Sequence, residues 1–292
     1  MNLLAWLAPT LMTLFLYGIG QGLVKKNIGD VPPARFCLYY VVAKAIVNLG
    51  FFFTQDHPPL LAPDAREFML WGLLAYSLEG LGWILYFESI VAGPITIVGT
   101  LSAAYSAPTV LFGFVFLGEV LRSFQYLGVA LVILGCVGLS YSPADATNQV
   151  KGKRWIPLAV GALLVWGLSQ TASKYAYGLA GASEVNMAFF GTIGGFLTLG
   201  LYGFLRDKGG DHTLANWGRS FLPMAMMAGG DLGVIIANRY GPISLITPIS
   251  SAYPVVTIIF ASYVLREKIT KLQYAAIALV MIGMFLAPRT GG

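Results

Sequence analysis

Long runs of apolar residues, each close to membrane-crossing length, alternate with short polar patches along the whole chain. A span needs roughly 20 mostly apolar residues to cross a hydrocarbon core about 30 Å thick. In lipid every backbone N–H and C=O has to be paired within the protein, which leaves helices or a closed barrel. Barrel strands alternate apolar and polar residues with a period of two, and these runs do not, so they read as helices. Charged residues make up only 11% of the 292, against roughly 25% in a soluble domain. There is too little charge to cover a water-facing surface.

Spans are predicted at about residues 3–25, 33–54, 67–90, 94–117, 123–141, 155–178, 184–205, 220–239, 243–264 and 271–288. The expected fold class is therefore an all-α polytopic membrane protein with ten transmembrane helices. The first run lacks a basic leader and a small-residue cleavage site and is read as a retained span. The longest polar stretches, 55–66, 142–154 and 206–219, are too short for a soluble domain. No nucleotide-binding module is visible, so transport powered by ATP hydrolysis in this chain is not expected. The net charge of +5 sits in the connections and lacks the interleaved aromatics of a nucleic-acid surface. Cys37 and Cys136 lie inside apolar runs without metal or disulfide spacing and read as packing residues.

A repeat organises the chain. Residues 93–140 align without a gap on 241–288, at an offset of 148, with 16 identities in 48 pairs. GPITIVGTLSAAYSAPTVLFGFVFLGEVLRSFQY answers to GPISLITPISSAYPVVTIIFASYVLREKITKLQY. At an offset of 149, Tyr17, Gly18, Gln21 and Lys25 meet Trp166, Gly167, Gln170 and Lys174. The division expected is 1–145 and 146–292. Five spans is an odd number, so the second half starts on the opposite side and runs inverted, as is common in secondary transporters.

On these residues, the YGIGQGLVK and WGLSQTASK openings and the twice-occurring GPI-to-QY block, the chain resembles the drug/metabolite transporter superfamily in its ten-span EamA type, over its whole length. The resemblance implies that helices 1–4 and 6–9 surround a central cavity, with helices 5 and 10 peripheral. It also implies cytoplasmic termini. It names no substrate: members carry amino acids, purine-like metabolites, sugars, choline-like cations and drugs.

Ionisable residues within spans are costly and are functional candidates by default. Tyr17, Gln21 and Lys25 fall on one face of the first helix, at i, i+4 and i+8, and Trp166, Gln170 and Lys174 repeat that face in the sixth. The two sets are expected to face each other, although both lysines are near enough to helix ends to snorkel. Tyr40, Lys44 and Asn48 share a face of the second helix. Tyr76, Glu79, Trp83 and Tyr86 form a stripe on the third, and Asp231 lies in the eighth with Met227 and Asn238. Glu79 and Asp231 read as a loosely symmetric acidic pair, with a structural Lys44–Glu79 ion pair as the plain alternative. Helices 4 and 9 offer Ser102, Thr109, Ser250 and Thr257 with Tyr105 and Tyr253, a set that also suits close helix packing. Pro108, Pro248 and Pro254 are expected to kink their helices, whereas Pro94 and Pro242 fall at tolerated first-turn positions. Glu88 is read as interfacial. Glu119 and Glu267 are expected to cap the opening amides of the next helix.

The resulting expectation is a secondary transporter of a small organic metabolite, amino-acid-like or an organic cation, working by alternating access with protons or another ion as partner. Substrate-binding residues are expected to be Tyr17, Gln21, Trp83, Tyr86, Trp166, Gln170, Tyr105 and Tyr253. Glu79, Asp231 and Lys44 carry charge and proton coupling. No metal, cofactor or nucleic acid is called for. The chain is expected as a monomer or weak dimer in a bacterial or archaeal plasma (inner) membrane. The rival readings are an intramembrane enzyme and a passive channel. His57 and His212, the two histidines, fall in connections, and no nucleophile–base or metal motif is present. Orientation is in conflict. The odd-numbered connections hold 12 Lys/Arg and the even-numbered ones with the termini hold 4, so the positive-inside rule places the termini outside, against the resemblance.

Overall fold

A computed structural model describes residues 3–28, 31–92, 104–140, 153–209, 213–264, 266 and 269–288. Pro94, Ser102, His212, Glu267 and the side chain of Lys25 lie outside the described residues, and the expectations for them stay as stated. Within them the regular structure is helical, without a strand. The helices are α1 (Leu3–Ile28), α2 (Pro33–Thr54), α3 (Arg66–Ala92), α4 (Ser106–Leu117), α5 (Ser123–Ser140) and α6 (Trp155–Ala176). Then comes α7, in which Glu184–Gly195 runs through a π-helical turn, Phe196–Gly200, into Leu201–Arg206. They are followed by α8 (Leu214–Tyr240), a broken α9 (Ile243–Ser251, then Tyr253–Val264) and α10 (Lys271–Leu286).

Seven of these, α1, α2, α3, α6, α7, α8 and α9, are long and apolar enough to cross a membrane, and α4, α5 and α10 are shorter apolar helices. Their outer surfaces are apolar: Phe53 and Phe204 are 77% exposed and Phe285 63%. Exposed apolar area on this scale has no place in water and suits lipid.

Local sequence explains most boundaries. Prolines open α2, where a missing N–H costs nothing. Ser183 caps α7 through the Asn186 amide. Thr270 and Gln273 form a reciprocal capping box on α10, the arrangement that satisfies two opening donors at once. The eighth helix begins at Leu214, earlier than the expected 220. The Thr213 side chain accepts from the Asn216 amide and so starts a helix whose polar first turns carry little hydropathy signal.

Packing follows the repeat. α3 packs on α6 and α1 on α8; α3 on α7 and α2 on α8; α4 on α6 and α1 on α9; α5 packs on α10 and α2 on α7. Exchanging α1–α5 for α6–α10 turns each of these pairs into another of the set or into itself. Glycines set the close approaches. A Cβ on Gly128 of α5 would lie 2.7 Å from the Ala287 amide nitrogen and 2.9 Å from the Gly283 oxygen of α10, so these backbones touch, as small residues allow in membranes. Turns fall at matched places: residues 104 and 105 turn before α4, and α9 turns at Ala252 before Tyr253.

Antiparallel contacts, Trp71–Tyr175 and Gly82–Trp166 between α3 and α6 and Trp6–Gly241 and Tyr17–Gly230 along α1 and α8, give the molecule two ends. The first face carries the start of α1, the α2–α3 connection, the α4–α5 connection, the α6–α7 connection, the α8–α9 connection and the end of α10. The second face carries the ends of α1, α3, α5, α7 and α9 and the starts of α2, α6, α8 and α10.

Candidate functional site

Lysine in a helix interior has to find negative charge, because an unpaired ion in low dielectric costs several kcal/mol. Lys44, 1% exposed on α2, finds two partners. Its Nζ lies 2.6 Å from Glu79 Oε2 of α3 and 2.9 Å from Asp231 Oδ2 of α8. Two tyrosine hydroxyls complete the cluster. Tyr17 of α1 donates to Asp231 Oδ1 and Tyr40 of α2 donates to Oδ2. Asp231 thus receives three donors. Rings pack around the ammonium, with Nζ 5.3 Å from the Tyr76 centroid and 5.8 Å from that of Tyr40, within cation–π range.

An aromatic cluster adjoins this network. Trp83, one turn past Glu79, meets Tyr40 at 6.0 Å, Trp166 at 5.3 Å and Tyr86 at 6.0 Å between ring centroids. Trp166 of α6 also meets Tyr86 at 5.6 Å and Tyr105 at 5.7 Å. Tyr17 stands edge-on to Tyr253 at 5.6 Å. The rings of Tyr17, Trp83, Tyr86, Tyr105, Trp166 and Tyr253 are all half-buried. Six of the eight expected binding residues therefore share one locus with all three expected charged residues.

The other two sit differently. Gln21 is half-buried on α1. Gln170 does not join the ring cluster: its Oε1 accepts from Asn238 Nδ2 at 2.9 Å, and Lys174 Nζ donates to the Asn238 carbonyl at 2.9 Å. The first-helix and sixth-helix faces do not pack on each other. α1 lies against α8 and α9, and α6 against α3 and α4.

Register explains the asymmetry of the charges. A Cβ on Gly82 would run into the Trp166 indole, and one on Gly230 into the Tyr17 ring. Since 230 − 82 = 148 and 166 − 17 = 149, these are one contact in two copies. They align Glu79 with Met227 and Trp83 with Asp231, without a gap. Glu79 and Asp231 are therefore neighbours in space but not repeat mates, which corrects the expected symmetric pair. Lys44 also does more than pair with Glu79, since it bridges both acids.

Prolines divide. Pro248 lies inside the first segment of α9, and Pro254 is the second residue after its break. Pro254 has no N–H to give the Ser250 carbonyl, which accounts for the helix stopping there. Pro108 sits in the first turn of α4 as described, where proline is tolerated.

Glu119 corrects its expected role. It does not cap α5, whose start is served by Gln125, with Oε1 accepting from the Arg122 amide at 2.9 Å. Glu119 instead accepts from the opening amides of α9. Glu88 accepts from the Tyr202 hydroxyl at 3.1 Å near the second face, as an interfacial residue would. Tyr40 is the site residue missing from the expected binding set. Its signal was present in the sequence, one turn before Lys44 on the same face, but nothing local shows that its hydroxyl reaches across to α8.

No curated protein matches the chain in sequence. Among solved structures 29 chains match. One, a crystal structure of a protein, is 18% identical, with a TM-score of 0.77 over 97% of this chain and 96% of that one, a likeness of fold alone. The EamA-like transporter family matches twice, over residues 4–141 and 153–288, so the sequence repeat and the paired helix contacts coincide with two copies of one family unit. With this match and its apolar helices, the chain is an integral membrane protein and belongs to the EamA-like transporter family.

Proposed function

We propose that the protein is a secondary carrier that moves a small organic solute, an organic cation or an amino-acid-like molecule, by alternating access coupled to protons. In this reading ten helices cross the membrane as two inverted units, 1–145 and 146–292, around a central cavity walled by the aromatic cluster. Two such units swap conformations, and each swap exchanges the open side.

One observation carries the proposal: a buried site with two acids and one base. Lys44 balances one negative charge, while Glu79 and Asp231 supply two. With both acids ionised the cluster holds one uncompensated negative charge in low dielectric, and that state is costly. A proton or a cationic group on the solute removes the excess. Asp231 already takes donors from Tyr17, Tyr40 and Lys44, so Glu79 is the group that loads and unloads. Trp83, next along α3, and the rings that meet it offer π-faces to a cation. Members of the family are transporters, and nothing in this arrangement supplies a nucleophile–base pair.

A thermal-shift screen of purified protein against a metabolite library identifies solutes that bind, and uptake into proteoliposomes then follows. Glu79→Gln is expected to retain solute-stabilised folding while transport loses its pH dependence. Full pH-dependent transport by this variant would remove Glu79 from the mechanism.

A further inference from the structure

Outside the charged centre, one ionisable residue ties the two halves together. α4 ends at Gly118, whose φ of 66° is left-handed, a conformation glycine adopts at little cost. The turn folds Glu119 back, its amide donating to the Gly113 carbonyl at 3.0 Å. Gly113 leaves space for the carboxylate, because a Cβ there would stand 3.1 Å from Glu119 Oε2. The carboxylate then accepts from the Ile243 amide at 3.0 Å and the Ser244 amide at 2.9 Å.

Among the described residues these amides have no other cap. The residue before them is Pro242, which makes no side-chain cap bond. The next two amides, of Leu245 and Ile246, are met by the Pro242 carbonyl. Among the described residues the first turn of α9 is thus completed by a residue 124 positions away, in the other half. An anion at a helix start also meets the positive end of the helix dipole. Arg266, the repeat mate of Gly118 at 266 − 118 = 148, shares its left-handed backbone, with a φ of 58°.

The bond lies on the first face, among fully buried side chains. Phe68, Met187, Ile235, Ile243 and Ile246 are there at 0% exposure. Trp83 and Tyr86, further along α3 towards the second face, are half-buried.

We infer that Glu119 is a latch that holds the first face shut by fastening α4 of one half to α9 of the other, and that it releases when this face opens. The inference rests on the alternating-access reading. Its test counts opening and not transport, so the two fail separately. The native Cys37 and Cys136 are at 0% exposure and give a low thiol background. Ile246→Cys reports the first face and Met224→Cys, also 0% exposed, reports a buried site elsewhere. In full-length protein in liposomes, Glu119→Gln is expected to raise maleimide labelling at position 246 tenfold or more and leave position 224 unchanged. Nitroxides at Val120→Cys and Tyr240→Cys should then show a second, longer distance. Should Glu119→Gln not fold, Glu119→Asp, a methylene shorter and able to reach one amide, carries the same measurements. Parent-like labelling with a single distance overturns the latch, and so does an equal rise at both positions, which is general loosening.

Discussion

Replacing Lys44 by Met keeps most of the side-chain volume and removes the charge on which two carboxylates converge. In the parent, Nζ lies 2.6 Å from Glu79 and 2.9 Å from Asp231, with Lys44 at 1% and Asp231 at 4% exposure. Asp231 keeps its two tyrosine donors in the variant, but Glu79 loses its ion-pair partner among the described residues. Breaking a buried pair by removing one member costs about 3–5 kcal/mol, because the remaining charge is left uncompensated. Lys44→Met is therefore expected to lose about 3–5 kcal/mol in a denaturing-detergent titration of the purified protein. Removing an acid together with the base should recover part of that loss. Lys44→Met with Asp231→Asn returns the cluster to one net negative charge, as in the parent. The coupling between the two positions is expected at about 1–3 kcal/mol in a double-mutant cycle. A single variant within about 0.5 kcal/mol of the parent, the range of ordinary surface substitutions, would refute the account of Lys44 as the neutralising charge.

Tyr17→Phe and Tyr40→Phe each delete one donor to a carboxylate, and each is expected to cost about 1.5–3 kcal/mol in the same titration. Gly82→Val and Gly230→Val put a side chain into the Trp166 and Tyr17 rings, and each is expected to lower folded yield by size-exclusion while Gly50→Val, which meets nothing within 4 Å, does not. A solute that binds at the ring cluster should quench tryptophan fluorescence in the parent and much less in Trp83→Phe. A reporter fused after Gly292 reads the side of the C-terminus, and an extracytoplasmic signal would side with the positive-inside count against the resemblance.

Much of this architecture is legible in the chain because membranes impose few solutions. Uncharged runs of spanning length have to be helices, and the 148-residue repeat shows which helices are equivalent. The charged residues were legible for the same reason, since Lys44, Glu79 and Asp231 stand out against 11% charge. Their partners were less so. Periodicity places Tyr40 beside Lys44 on α2, but the hydroxyl bonds to Asp231, 191 positions on. Glu119 followed a sound local rule, that an acid near a helix start caps it, yet it caps a helix 124 positions away because Gln125 already serves the nearer one. Capping depends on which helix end the turn at Gly118 faces, and only packing decides that.

The repeat and the charges obey different rules, and the difference bears on mechanism. Gly82–Trp166 and Gly230–Tyr17 are one contact in two copies, the repetition that the proposed alternating access would use. Lys44 and its two acids occur once. In the register set by those glycines, Met227 stands where Glu79 does and Trp83 where Asp231 does. A symmetric acid pair would place one carboxylate towards each face. Here both acids instead hold one ammonium, at a point where α2 and α3 of one half meet α8 of the other. The Lys44–Asp231 contact joins the two halves, so a movement that separates α2 from α8 lengthens it. The Lys44–Glu79 contact lies within one half and need not change. The strength of the Lys44–Asp231 contact therefore opposes such a movement. In the proposed cycle a proton on Glu79 removes the anion that shares the ammonium, so loading tightens the contact between α2 and α8 and unloading loosens it.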